Sequence, residues 1–404
     1  MSRQSNGSTS EMEGLLGPDP LTEALRGRIR EMIVELVEAE VTEVLAATRY
    51  QRGTGRQGYR HGTVTRSLTT GFGRTRLPVP RARVTRDGQT AEWRSTLLRR
   101  YERRATAVDG ALLGAYLSGA NQRRIRGALA PLLRGAPLSK SAISRIVGRL
   151  KTLFDAWRHR PLASEVLPIV YLDGIVLRVR VAQKVVTVPV LVALGVRADG
   201  QKTVVDLELL TSESEAAWSG FVQGLGGRGL RPPRLVVLDG SPGLRAAVAA
   251  HWPGIAVQRC TVHKLRNLER HVPRHALEEV RTDYHRIVYA ESGEAARQAY
   301  TAFVAKWTKR APKVAASLEE AGEELLTFYR FHAAQWKVLR TTNAIERLNE
   351  EFRRRVKTQG SLPTTQAAEL LLFGLVLSDQ IRMRRINGWQ QLSQLQAAAI
   401  PMAA

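Results

Sequence analysis

Apolar positions recur along this chain at two different periods, and the change of period divides it. From Leu21 to Thr48 the residues Leu25, Ile29, Ile33 and Leu36 recur every three or four positions, which predicts a helix with one apolar face. Its second half is acidic, which suits packing or dimerisation better than contact with DNA. Residues 1–20, rich in Ser, Gly, Pro and acid, are expected to form a disordered tail. Between 49 and 104 the alternating runs TVTRSLTT and TRLPVPRARV, interrupted by Gly71 and Gly73, predict a small hairpin followed by an extended arm. A helical period returns over 105–160. There RGAPLS reads as a turn between two helices, the pattern of a helix-turn-helix.

From Glu165 the period becomes that of strands. VLPIVYLDGIVLRVRV, KVVTVPVLVALGV and KTVVDLELL stand at hairpin spacing, followed by the helix ESEAAWSGFVQGLGGRG, the strand RLVVLD, the helix GLRAAVAAHW and the strand IAVQRC. The expectation is an α/β fold, a mixed sheet flanked by helices. A charged helical block over about 264–336 precedes one further helix. The division expected is therefore a tail (1–20), a helix with a basic strand and arm region (21–104), a helix-turn-helix-like unit (105–160), and an α/β domain with a helical insertion (161–404). No internal repeat or coiled-coil heptad run interrupts this order.

Charge sharpens the picture. The net charge is +24, and of 61 basic residues 51 are arginine, whose planar fork suits phosphate. Residues 49–104 hold 15 arginines against Asp87, Glu92 and Glu102, a density of one sign that repels itself unless an anion covers it. No apolar run reaches transmembrane length and no signal-peptide pattern is present, so nucleic acid, not a membrane, is the expected partner. The single cysteine, Cys260, excludes an intrachain disulfide and suits a reducing cytoplasm. Candidate DNA contacts are Arg123, Arg124 and Arg126 on the first helix of the helix-turn-helix, and Lys140, Ser141, Ser144 and Arg145 at the start of the second.

Three carboxylates stand out by position. Asp173 follows IVYL within one predicted strand, Asp239 ends LVVL, and each precedes a glycine. An acid among branched aliphatics needs a cation, a metal or a set of hydrogen bonds, although Asp-Gly at a strand end is also an ordinary turn. In TTNAIERLNEEFRRRVKTQG, residues 341–360, Ile345, Leu348, Phe352 and Val356 form an apolar stripe. Glu346, Asn349, Glu350, Arg353 and Lys357 share the neighbouring face. Asn343 three residues before Glu346 also matches a capping box. Three converging carboxylates suit two Mg²⁺ ions, or Mn²⁺ in their place. Such a pair about 4 Å apart serves in-line phosphoryl displacement. Arg347, Arg353, Arg354, Arg355 and Lys357 are candidates to hold the DNA backbone nearby. Trp336 is a candidate to stack on an extruded base, or else a core tryptophan.

YLDGIVLRVR, ALGVRADGQK, LVVLDG, QRCTVHKLRN and TTNAIERLNEEFRRRVKTQG, with GYRHG…VPRAR and YLSG…LSKSAISR upstream, resemble in order the blocks of Mutator-type transposases of bacterial insertion sequences. The resemblance runs from about residue 50 to 390. It implies a ribonuclease-H-like core with an all-helical insertion and an Asp-Asp-Glu triad of Asp173, Asp239 and Glu346. Gly174 stands where such sequences often carry another small residue. Also implied is a DNA strand-cleaving and joining enzyme that acts on double-stranded DNA of the bacterial nucleoid, binds terminal inverted repeats and works as at least a dimer. Cys260 and His263 match the family's Cys-x-x-His signature; with Arg266 and Asn267 they are read as supporting the active site, as is Asn343. Adding His271 and His275 would give a zinc set, but one Cys-x-x-His lacks a second pair at finger spacing. Two other readings stand beside this one: a structure-selective nuclease on the same core, and a transposase-derived DNA-binding regulator.

Overall fold

A computed structural model describes residues 19–118, 120, 125, 129, 140–181, 184–210, 214–359, 362, 364–378, 381 and 383–392. The chain divides into two compact units, Met1–Gly148 and Arg149–Ala404.

In the first unit, helix α1 (Pro20–Leu45) starts with proline in its first turn, where no N–H is needed. The Asp19 carboxylate caps it, accepting from the amides of Leu21 and Thr22, each at 3.1 Å. Strands β1 (Gly58–Thr70), β2 (Gly73–Arg86) and β3 (Gln89–Glu92) form an antiparallel sheet in that order. The hairpin expected around Gly71 and Gly73 closes with Thr70 opposite Gly73. A third short strand extends it where an extended arm was expected. At Gly58, with φ +144°, a Cβ would collide with the Arg83 carbonyl, so only glycine lets the strands meet there. Val37, Val41 and Leu45 of α1 pack on this sheet against Leu68, Leu77, Val79, Ala82 and Val84.

That packing corrects the single apolar face expected for α1. Leu25 and Leu36 are 40% and 52% exposed, on the side of the helix away from the sheet. Helix α2 (Thr106–Leu117) follows, its Val108 and Leu112 clustering with Ile125 and Ile146. Helix α3 (Lys140–Arg158) covers the segment read as a second helix and runs across the boundary between the two units. The turn at 134–139 and Arg123, Arg124 and Arg126 lie outside the described residues.

The second unit is built on a five-stranded mixed sheet of order β6-β5-β4-β7-β8. The strands β4 (Ile169–Val181), β5 (Lys184–Val196) and β6 (Lys202–Leu209) are successive antiparallel neighbours. Helix α4 (Glu215–Gly227) carries the chain to β7 (Leu235–Leu238), which pairs parallel with β4. Helix α5 (Pro242–His251) leads to β8 (Ala256–Arg259), parallel to β7. Trp218, Phe221, Val222 and Leu225 of α4, with Leu244 and Val248 of α5, cover one face by packing on Val170, Leu172, Val236 and Leu238. Both faces of β7 are covered, which is why LVVL is an unbroken apolar run.

The helical block begins at α6 (Thr261–Glu269) and continues through α7 (Leu277–Val288), α8 (Gly293–Arg310) and α9 (Pro312–Ala321). It has its own core of Leu268, Val280, Tyr284, Ile287, Phe303, Trp307, Val314 and Leu318. Arg259 and Lys264 are almost wholly buried yet charged, and both reach Glu320 of α9, at 3.0 and 2.7 Å. Buried cations need such a partner, and the bridge from Arg259 on β8 ties the block to the sheet edge. The chain then passes through α10 (Ala333–Leu339), α11 (Asn343–Gln359) and α12 (Thr365–Leu377). Among the described residues no helix is long and apolar enough to cross a membrane.

Candidate active site

The sheet itself brings two of the three singled-out acids together. Leu172 on β4 is in register with Leu238 on β7, so the next residues, Asp173 within β4 and Asp239 just past the end of β7, stand side by side. Side chains alternate across a strand, and Val170 and Leu172 point into the α4–α5 core. Asp173 therefore points to the opposite face, where α11 packs on β4. Asp239 does make the turn that Asp-Gly allows: its Oδ1 accepts from the Ser241 amide at 2.9 Å.

Helix α11 supplies the rest. Ile345, Leu348, Phe352 and Val356 are buried as their spacing required. One turn beyond Glu346, Asn349 is 1% exposed, and its Nδ2 donates to Asp173 Oδ2 at 2.9 Å. The Gly174 amide donates to the other oxygen at 3.0 Å. Asn349 Oδ1 is buried without a hydrogen-bond partner among the described residues. Glu346 Oε1 lies 3.7 Å from His263 Nε2 and 3.8 Å from the Arg266 guanidinium, both on α6. Glu350, the next acid on that face, is exposed.

The electrostatics follow from this crowding. Burial pushes the Asp173 carboxyl up to about 7; Asp239 and Glu346 push it the same way, while His263 opposes them. His263 is raised to about 9, first by the neighbouring Cys260 thiol and then by the charges of Asp173 and Asp239. Burial raises the Cys260 thiol, but His263 and Thr342 outweigh it and the net shift is downward. The Thr342 amide and hydroxyl both donate to Cys260 Sγ, at 3.4 and 3.3 Å. The Cys-x-x-His pair thus joins the end of β8 to the start of α11.

The capping-box expectation is corrected. Asn343 is already the first residue of α11 and is exposed, and the Thr342 carbonyl accepts from the amides of Ile345 and Glu346, each at 2.9 Å. The Glu346 side chain is turned toward α6.

The family model described as Transposase, Mutator family matches residues 9–383. The chain is 34% identical over 385 residues to the transposase for insertion sequence element ISRM5 of Rhizobium meliloti, covering 94% of this chain and 93% of that one. The chain belongs to the Mutator family of transposases. The transposase for IS1081 of Mycobacterium tuberculosis is 32% identical, across 93% of this chain and 89% of its own. That for IS256 in transposon Tn4001 of Staphylococcus aureus is 31% identical, across 85% and 87%. A simian T-cell lymphotropic virus intasome in complex with a PP2A regulatory subunit matches 52% of this chain and 66% of its own at 11% identity, with a TM-score of 0.17, too low to establish a shared fold.

A Mutator-family transposase acts on DNA, and the remaining predicted residues can be placed with that in view. Arg347, Arg353 and Lys357 on α11 are exposed, and Arg354 is exposed while bonded to Glu351 at 2.7 Å. Arg355 is turned inward, 3.7 Å from the same glutamate. Asn267 is half-buried on α6 beside Arg266. Ser144 and Arg145 are exposed on α3; Lys140 and Ser141 start that helix, and their side chains lie outside the description. Trp336 is half-buried: its indole N–H donates to the Phe331 carbonyl at 2.8 Å, and Tyr329 and Phe328 meet it edge-on. Among the described residues no three His, Cys, Asp or Glu side chains form a ready-made metal-binding group. The zinc set of Cys260, His263, His271 and His275 is therefore not assembled, and the three acids are neighbours rather than a closed cage.

Proposed function

We propose that Asp173, Asp239 and Glu346 are the catalytic acids of a metal-dependent DNA strand-cleavage and strand-transfer site. The observation that carries this is the register of β4 and β7, which sets Asp173 beside Asp239 under the helix that bears Glu346. A sheet of three antiparallel strands followed by two helix-separated parallel ones supports reading the domain as ribonuclease-H-like. The residues suit hard divalent cations. Asp173 is buried beside the half-buried Asp239, whose charge makes ionising Asp173 harder, and the Asn349 oxygen, unpartnered among the described residues, is one more oxygen donor. When bound, two Mg²⁺ or Mn²⁺ ions would supply electrostatic activation of the attacking oxygen and relief of charge on the leaving one.

The chain's own groups hold and orient. Asn349 and the Gly174 amide fix the Asp173 carboxylate, and the Ser241 amide fixes Asp239. In the first step water attacks phosphorus and the bond to the 3′ oxygen breaks, freeing a 3′-hydroxyl and leaving a 5′-phosphate. In the second, that hydroxyl attacks a phosphodiester of the target strand, a new 3′-to-5′ linkage forms, and the target's own 3′ oxygen departs with a proton. Arg347, Arg353, Arg354 and Lys357 lie on the exposed side of α11, where they would hold the phosphate backbone. The substrates are the element's terminal inverted repeats, which the DNA flanking its gene would supply. Held in pairs, they call for at least two copies of the protein.

The test is cleavage and joining of such end DNA by purified protein with Mg²⁺. Asp173→Asn, Asp239→Asn and Glu346→Gln should each abolish both products while binding of the DNA persists. Cleavage retained by Asp239→Asn would falsify the assignment.

A further inference from the structure

Helix α1 has two apolar faces, and its own sheet covers one of them. Opposite Val37, Val41 and Leu45 lie Leu21, Leu25, Met32 and Leu36, which are 66%, 40%, 57% and 52% exposed. Their spacings of four, seven and four residues keep them in one stripe, about 22 Å long at 1.5 Å per residue. Four large apolar side chains in line exceed the scattered exposure normal for a surface.

The charges beside the stripe indicate its occupant. Arg26 and Arg30 turn to the sheet, donating to the Phe72 and Arg76 carbonyls, which leaves Arg28 as the cation beside the stripe in the half before Met32. In the half after Met32, Glu38 faces Arg60 and Glu40 accepts from Ser95 and Thr96, which leaves Glu35 and Glu43 beside the stripe. DNA is disfavoured by that acidic half. A parallel copy of the helix would set glutamates against glutamates. An antiparallel copy sets Arg28 against the glutamates of the other half, twice by symmetry. With Met32 at the two-fold axis, Leu21 falls opposite Glu43, Leu25 opposite Ala39, and Arg28 beside Glu35 of the second copy. Arg28 is 82% exposed and held only by Glu31 one turn away, while Glu35 has no ion-pair partner among the described residues.

We infer that α1 is a self-association surface, in which two copies of this chain pair antiparallel through Leu21, Leu25, Met32 and Leu36. The inference does not depend on the catalytic assignment, because its readout is association of the DNA-free chain. It gives a physical basis for bringing two subunits, and hence two DNA ends, together.

Sedimentation equilibrium of the full-length, DNA-free protein at micromolar concentration should show a monomer–dimer equilibrium. Leu25→Glu with Leu36→Glu should raise the dimer Kd at least tenfold and leave the Tm measured at monomeric concentration unchanged, since neither residue packs on the sheet. Arg28→Glu should weaken the dimer, and Arg28→Glu with Glu35→Arg should restore it. Orientation is read by cross-linking, with the buried native Cys260 contributing no background. Met32→Cys should form a disulfide-linked homodimer under mild oxidation. Leu21→Cys should not, because the two thiols would lie about 33 Å apart. A chain monomeric at every concentration overturns the inference; so does a dimer indifferent to the paired glutamate substitutions. A dimer linked by Leu21→Cys but not by Met32→Cys overturns the antiparallel pairing.

Discussion

Helices α1 and α11 are both amphipathic and both highly charged, yet they use their surfaces in opposite ways. Helix α11 buries one stripe, from Ile345 to Val356, and spends the adjacent face on Asn349 and Glu346 against the sheet's aspartates. Helix α1 buries Val37, Val41 and Leu45 but leaves a second apolar line in solvent. Periodicity alone reads α11 well because one apolar line meets one neighbour. It misreads α1 because two apolar lines on one helix merge into a single broad pattern. The difference is that the apolar line of α11 is buried, whereas one of the two apolar lines on α1 meets no neighbour among the described residues.

The comparison breaks first at the chemistry. Exchanging Glu346 for Gln on α11 should lower strand cleavage by roughly a thousandfold or more, the scale lost when a charge-stabilising group is removed from a phosphoryl-transfer site. Leu36→Ala on α1 should leave the single-turnover cleavage rate of preassembled complexes unchanged, as measured on labelled end DNA. Packing gives the next largest contrast. Phe352→Ala should cost about 3–5 kcal/mol in urea unfolding, because its ring is fully buried. Under the same conditions and at monomeric concentration, Leu36→Ala should stay within about 0.5 kcal/mol.

Asn349 sharpens the account of α11. Asn349→Ala leaves the buried Asp173 oxygen without its donor, an expected cost of about 1–3 kcal/mol. Metal affinity should fall with it, read by calorimetric titration. The last effect concerns pH. In the metal-free protein Asp173 is held near 7 against an ordinary 3.8, so its folded pKa is raised. The stability this contributes is complete below about 3.8 and is lost as pH rises through about 7. Melts in chelator should therefore show Asp173→Asn gaining Tm over the parent chain at pH 8 and not at pH 4, and Mg²⁺ should close that gap.

Much of the fold was legible because its strands advertise themselves. Asp173 and Asp239 interrupt runs of branched aliphatics, and an acid there demands a partner. The helical block was visible as a loss of strand period between Lys264 and Trp336. The bond from Asn349 to Asp173 was not legible, because it joins residues 176 positions apart and depends on side-chain direction. Its only trace was the three-residue offset from Glu346 on one helical face. The role of Thr342 was hidden in the same way. A threonine before a helix reads as a cap, whereas here its hydroxyl reaches the Cys260 sulfur. Asn343 was misplaced because a capping box specifies a spacing and not which residue is the last outside the helix.

The central claim is that Asp173, Asp239 and Glu346 act on one set of divalent cations. Calorimetric titration of Mn²⁺ into the DNA-free, full-length chain, repeated with Asp173→Asn, Asp239→Asn and Glu346→Gln, tests it most directly. The account predicts saturable binding that each of the three substitutions weakens at least tenfold and that Glu350→Gln leaves intact. Binding that survives Asp173→Asn and Asp239→Asn unchanged would contradict it.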